Sequence, residues 1–222
     1  LFQDGRLDAE EQEEAFIRAA DLIMVSTGSD PELRSFVVEF LMEGFELLGM
    51  EGVQIHLADH YLDEQCTTDV EELVRARMEG YKAMQAGSIA PDLVFRDSRG
   101  LNLSLSEVDS DYVLVLFWAT GCEHCRQLMP ELVSWYSENG ESGVEVLTVS
   151  IDSSDLAYTS FLEEMPLPWI SARDPLGWNG SLAAAYHIYA TPAMFLLDRQ
   201  RVILSRPLNM KQFTRALRKL ED

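Results

Sequence analysis

Phe117-Trp118-Ala119-Thr120-Gly121-Cys122-Glu123-His124-Cys125 sets two cysteines three residues apart, between a strand and a helix. Tyr112 to Trp118, just before the pair, is a continuous run of β-branched, aliphatic and aromatic residues and reads as a strand buried on both faces. Cys122 to about Tyr136 reads as a helix. At a helix N-terminus the unpaired N–H groups and the dipole stabilise an anion, and the thiolate of Cys122 is such an anion. An ordinary thiol with a pKa near about 8.5 is only a few per cent ionised at pH 7, whereas one lowered to about 6 is mostly ionised. Cys122 is therefore the expected attacking sulfur. Cys125, one turn along and more buried, is expected to attack the mixed disulfide and release the substrate.

Two other readings fit a Cys-x-x-Cys. A structural zinc site needs four ligands and usually shows a second such pair or a pair of histidines. Here only His124 is near in sequence. The other alternative is a structural disulfide that never turns over. His124, between the cysteines, would favour the ionised sulfur when cationic, and the carboxylate of Glu123 opposes it. His56 and His60 share a helix face but lack a third ligand, so both are read as structural, as is His187. The remaining cysteine, Cys66, reads as a lone thiol. Three cysteines cannot form a disulfide framework.

Outward from the pair, the second part of the chain alternates strands and helices. Strands are expected at Leu93 to Phe95, Val144 to Ile151, Ala193 to Leu197 and Val202 to Leu204. Helices are expected at Leu156 to Leu162, Leu182 to Tyr186 and Lys211 to Leu220. Gly87 to Pro91 reads as a linker.

Residues 1–86 differ in character. They hold 20 acidic and 6 basic residues, a net charge of −14, against −7 for the remainder. Helices are expected from Asp8 to about Val25, from Pro31 to Gly49 or Gly52, and from about Val53 to Leu62. A last one is expected behind a capping box of Thr68 with Glu71. Asp30 is placed to cap the helix that Pro31 opens. In that helix Leu33, Phe36, Val37, Phe40, Leu41, Phe45 and Leu48 have the spacing of one broad apolar face. Met24, Met42, Met50, Met78 and Met84 read as packing residues.

A formal charge of −21 disfavours nucleic acid and anionic membrane surfaces as partners. No apolar run reaches the roughly 18–20 residues of a membrane span. The chain begins with Leu1 and shows no signal peptide, which says nothing about its compartment.

Taken in order, Ala90-Pro91-Asp92-Leu93, Val113 to Trp118, Cys122-Glu123-His124-Cys125, Pro130 and Thr191-Pro192-Ala193-Met194-Phe195 resemble the TlpA/ResA-like thiol–disulfide oxidoreductases of the thioredoxin superfamily. The resemblance covers roughly residues 88–222. It implies an α/β thioredoxin-like domain, a mixed central sheet flanked by helices, over residues 87–222. A small all-α domain over residues 1–86 precedes it and resembles, more weakly, helical domains of extracytoplasmic proteins of Bacteroidetes. It also implies that Pro192 is cis, lies against the cysteines and shapes with Thr191 an edge where a substrate peptide pairs. Pro130 matches the family's kinked active-site helix, and residues 153–176 resemble the segment that separates this group from plain thioredoxin.

By this resemblance the chain is an enzyme. It exchanges a Cys122–Cys125 dithiol or disulfide with protein substrates and a further redox partner, outside the cytoplasm and without cofactor or metal. Trp118, Glu123, His124, Thr191 and Pro192 tune the site or dock the substrate. His124 leans toward an oxidising or isomerising potential and the resemblance toward a reductase. A non-catalytic binding module, or an isomerase if the chain is dimeric, are the alternatives. Departures from the family are Leu116 where thioredoxins keep a buried acid, Leu128 where ResA-like proteins keep a Glu, and Gly121 where an aromatic residue commonly precedes the first cysteine. Peroxiredoxins share the wider fold, but Val115 and Ala119 stand where they keep a Pro and a Thr or Ser, which argues against a peroxidase.

Overall fold

The computed structural model describes residues 9–48, 50–61, 69–140 and 143–221. The chain divides into two compact units, Leu1–Lys82 and Ala83–Asp222. Among the described residues no helix is long and apolar enough to cross a membrane.

The first unit carries α1 (Ala9–Ser26), α2 (Pro31–Leu48), α3 (Glu51–Tyr61) and α4 (Asp69–Ala83). Asp30 caps α2 as its sequence position predicts: its Oδ1 accepts the N–H groups of Glu32 and Leu33, each at 3.1 Å. Gly52 does not end α2. It lies in the first turn of α3, where its N–H donates to Glu13 Oε1 of α1 at 2.7 Å, a carboxylate meeting the positive end of a helix. The buried face of α2 also differs from the expected one. Val38, Met42 and Phe45 are buried with Ala20, Met24, Val53, Leu57, Met78 and Tyr81, whereas Leu33, Phe36, Phe40 and Leu48 are exposed. Apolar residues surround so much of α2 that their spacing alone cannot select the face; packing against α1 and α3 does. His56 and His60 stack with ring centroids 4.2 Å apart. His56 Nε2 lies 2.7 Å from Asp21 Oδ1, which also accepts the Tyr61 hydroxyl at 2.7 Å. Those bonds hold the Asp21 carboxyl below its ordinary pKa. Thr68, of the expected capping box, and Cys66 lie outside the described residues.

The second unit opens on a hairpin of β1 (Val94–Arg96) and β2 (Asn102–Ser104). β3 (Tyr112–Trp118), α5 (Glu123–Asn139), β4 (Val144–Ser150), α6 (Asp155–Glu164), β5 (Ile170–Arg173), α7 (Ser181–Ala185), β6 (Ala193–Asp198), β7 (Ile203–Ser205) and α8 (Met210–Glu221) follow. The main sheet has the order β5-β4-β3-β6-β7, with β3, β4 and β5 parallel and β6 and β7 antiparallel to their neighbours. β3 is central, which is why its sequence is apolar on both faces. On one face Val113, Val115 and Phe117 pack with Leu147, Val149, Tyr186 and Phe195. On the other, Leu114, Leu116 and Trp118 pack with Cys125, Met129, Tyr158 and Phe213.

Residues 87–91, expected as a linker, are tied into this unit. Gly87 N–H donates to Ile203 O and Ala90 N–H to Arg201 O, each at 2.8 Å, and Ile203 N–H donates to Ser88 O at 2.8 Å. Met84 belongs to the same core.

Asp174 is a buried carboxylate beside β5 that accepts the N–H groups of Leu182 at 2.8 Å and Leu176 at 3.2 Å. A Cβ on Gly180 would overlap that carboxylate. Gly180→Ala is therefore expected to destabilise the second unit by about 2 kcal/mol, lowering its melting temperature by roughly 5 °C. All four tryptophans, Trp118, Trp135, Trp169 and Trp178, lie in this unit, so their fluorescence reads it alone. An unchanged midpoint would contradict the packing around Asp174.

Candidate active site

The site sits where β3 ends. Cys122 N–H donates to Ala119 O at 3.1 Å and closes a tight turn, Ala119 to Cys122. Cys122 then serves as the N-cap of α5 in an extended conformation, φ −85° and ψ 115°. Its Sγ accepts the Cys125 N–H at 3.2 Å, so a sulfur fills the position usually taken by a capping hydroxyl or carboxylate. That bond and the open end of the helix are what a thiolate requires. Cys122 and Cys125 are joined as a disulfide, with Cα atoms 5.2 Å apart. Cys122 is partly exposed and Cys125 is 0% exposed, so only the first sulfur is open to a partner.

The structure brings the distant Thr191-Pro192 pair to this point. The Thr191-Pro192 bond is cis. Thr191 O lies 3.3 Å from Cys122 Sγ. Both residues are partly exposed and lead directly into β6, which pairs with β3. Glu123 and His124 are exposed on the first turn of α5. Gly121 is exposed, and a Cβ there would meet nothing within 4 Å, so the rim before Cys122 is open.

Trp118 lies elsewhere than a docking residue should. It is 0% exposed, beneath the turn, with its ring centroid 4.6 Å from Phe161 and its Nε1 unbonded. Any influence it has on the cysteines is exerted from below. Leu116 and Leu128 are buried in the same apolar cluster as Cys125. Neither position therefore offers a carboxylate to the second sulfur. Among the described residues no group of three or more His, Cys, Asp or Glu is placed to hold a metal ion. Pro130 lies inside α5 and removes one N–H from its ladder.

Sequence reasoning missed Asp152, two residues beyond β4. Its Oδ2 accepts the Thr120 N–H at 2.9 Å and its Oδ1 the Thr120 hydroxyl at 2.8 Å, gripping the turn before Cys122. The register that places it there, Trp118 beside Ser150 in parallel strands, carries no local sequence mark. A buried polar row flanks the site. Trp169 Nε1 donates to Thr148 Oγ1 at 3.1 Å, Thr148 bonds Ser171 at 3.1 Å, and the Tyr158 hydroxyl lies 2.8 Å from Ser171 Oγ. Burial pushes the Tyr158 phenol above its ordinary pKa, so it stays a neutral member of that row.

A central strand running into a helix capped by a disulfide-bonded sulfur, faced by a cis proline at the start of the neighbouring antiparallel strand, defines a thioredoxin-like protein. The chain belongs to the AhpC/TSA family, whose sequence pattern matches residues 86–206. It is similar to the thiol–disulfide oxidoreductase ResA of Bacillus thuringiensis, at 28% identity over 121 residues, which cover 54% of this chain and 68% of that protein. The thioredoxin domain of a thiol–disulfide oxidoreductase from Bacteroides vulgatus superposes with a TM-score of 0.56 at 26% identity, covering 62% of this chain and 98% of that one. A thioredoxin-like protein from Bacteroides caccae matches with a TM-score of 0.73 over 95% of this chain and 77% of its own; at 19% identity this likeness shows the fold. The chain is thus a thioredoxin-like oxidoreductase whose homologues act in thiol–disulfide chemistry.

Proposed function

We propose that the chain exchanges the Cys122–Cys125 dithiol or disulfide with protein substrates outside the cytoplasm. The observation that carries this reading is the partly exposed Cys122 sulfur, capped by the Cys125 N–H and set 3.3 Å from the Thr191 carbonyl. In the reducing direction the Cys122 thiolate attacks one sulfur of a substrate disulfide. A new S–S bond forms, the substrate bond breaks, and one substrate thiolate leaves and is protonated. Cys125 gives up its proton and attacks Cys122 Sγ, which releases the second substrate thiol and leaves the Cys122–Cys125 disulfide. Two electrons pass to the substrate; the reverse sequence oxidises it.

His124 and Glu123, exposed beside Cys122, act on its charge state, and Trp118 supports the turn from beneath. The edge at Thr191-Pro192 pairs with the extended substrate segment. The extracytoplasmic setting rests on resemblance to the TlpA/ResA-like group. An alkaline phosphatase fusion to the full gene product that stays inactive in cells because it is not exported would count against it.

The reduction potential tests the direction of exchange. Titration against glutathione or dithiothreitol is expected to give a value near or below about −250 mV, as thioredoxin-like reductants do. A value of about −120 to −180 mV would instead assign it to oxidants and isomerases. A pair that exchanges with neither reagent would overturn the enzyme reading.

A further inference from the structure

We infer that Asp152 is a positioning residue for the redox pair: through Thr120 it fixes the turn that holds Cys122 Sγ at the N-cap of α5. The inference deepens the exchange reading proposed above and rests on it for its meaning in catalysis, but its geometry is independent of that reading. Four residues, Ala119 to Cys122, join the end of β3 to the helix. At their start the ladder is still closed, since Ile151 N–H donates to Trp118 O at 2.8 Å. At their end Cys122 N–H closes on Ala119 O. Between them stand only Thr120 and Gly121. Gly121 has no side chain and open space around it. Side-chain control of the turn therefore falls on Thr120, and Thr120 is held at both its N–H and its hydroxyl by one carboxylate.

That carboxylate is itself fixed. Ser150 Oγ donates to Asp152 Oδ2 at 2.7 Å, and Asp152 N–H donates back to Ser150 Oγ at 3.1 Å. Arg173 binds the Asp152 carbonyl oxygen at 3.1 Å through Nη1 and the Asp155 carboxylate at 2.9 Å through Nη2. The guanidinium thus braces the backbone of Asp152 and leaves its carboxylate to the turn. Three hydrogens converge on the carboxylate, two from Thr120 and one from Ser150. With the grip released, a turn containing glycine gains conformers. In those conformers Cys122 leaves the φ and ψ at which its sulfur accepts the Cys125 N–H, and the thiolate loses that bond. Asp152 acts by geometry, opposite in sign to its charge: a bare negative charge near Cys122 would disfavour the thiolate.

That opposition of sign gives the test. In the reduced full-length chain, the rate at which iodoacetamide alkylates Cys122 is followed against pH by peptide mass spectrometry, which separates Cys122 from Cys66 and Cys125. Asp152→Ala is expected to raise the apparent thiol pKa by about one unit and so to slow alkylation about tenfold at pH values well below the parent thiol pKa. Asp152→Asn keeps an acceptor for the Thr120 N–H and is expected to stay within about threefold of the parent. Thr120→Val is expected to slow alkylation less than Asp152→Ala and to add nothing to it in the double variant. A loss of stability alone would lower the unfolding midpoint without moving the pH profile. Profiles superimposable on the parent overturn the inference, and so does faster alkylation in both Asp152 variants, the signature of charge alone. If Asp152→Ala fails to fold, Thr120→Val and Asp152→Asn carry the same comparison. A parent that alkylates normally but never exchanges with dithiothreitol sinks the enzyme reading and leaves this one standing.

Discussion

A Cys125→Ser chain is expected to accumulate as a mixed disulfide with its substrate, whereas a Cys122→Ser chain is expected to lose turnover about a thousandfold or more. The asymmetry follows from where the two sulfurs lie. Cys122 is partly exposed and bonded to a backbone N–H that favours its thiolate, so it can reach an incoming disulfide. Cys125 is fully buried among Leu116, Trp118, Leu128 and Met129, and its sulfur is bonded to that of Cys122. Without Cys125 the first attack still proceeds, but nothing breaks the bond it forms. Without Cys122 the buried sulfur meets no substrate. Turnover of insulin with dithiothreitol and a non-reducing gel of the trapped species measure both, in a Cys66→Ser background that removes the third thiol. Trapping by Cys122→Ser, or full turnover by it, would reverse the assignment of roles.

Much of this arrangement was legible because its signals are local. The apolar run of β3, the helix opening at Cys122 and the Asp30 cap each declare themselves within a few residues. The pairing of Thr191-Pro192 with the cysteines was legible only through resemblance, because 69 residues separate Cys122 from Thr191. What was missed depends on partners that a sequence does not name. β5 spans four residues after Pro166 and Pro168, and its strand character comes from pairing with β4. Gly87 to Pro91 read as a linker since the edge bonds of this stretch to Arg201 and Ile203 leave no periodicity. Asp152 is one of 38 acidic residues, and only the parallel register of β3 and β4 brings it beneath Thr120. The exposed phenyl rings of Phe36 and Phe40 carry the same lesson in the helical unit, where apolar residues nearly encircle α2.

The leucines at positions 116 and 128, packed in one cluster with Cys125, lead to the second large effect. Leu116→Asp, which restores the buried acid that thioredoxins keep at the matching position, is expected to cost stability and to speed the resolving step. Leu116 is 0% exposed, lies in the central strand between Thr148 and Met194, and packs with Cys125. Losing its packing and burying a carboxyl group should cost about 3–4 kcal/mol at neutral pH. The cost depends on pH with a definite sign. Burial raises the carboxyl pKa in the folded state above its unfolded value of about 3.9. Below that value both states are protonated and the penalty is smallest. As pH climbs toward the folded pKa, the unfolded chain ionises first, so the folded state holds more protons and stability falls; above the folded pKa it levels off. A carboxylate whose pKa is drawn toward neutrality is also the kind of base that can take the Cys125 proton as the sulfur attacks, and such assistance contributes roughly a hundredfold at the low end. Urea unfolding followed by tryptophan fluorescence at pH 4 and pH 7.5 reads the first effect; stopped-flow decay of a preformed mixed disulfide reads the second. Equal stability at both pH values would mean the new carboxyl group has reached water. A destabilised variant whose mixed disulfide decays no faster would mean that removal of the Cys125 proton does not limit the reaction, and that an apolar nest around the second sulfur is compatible with rapid release.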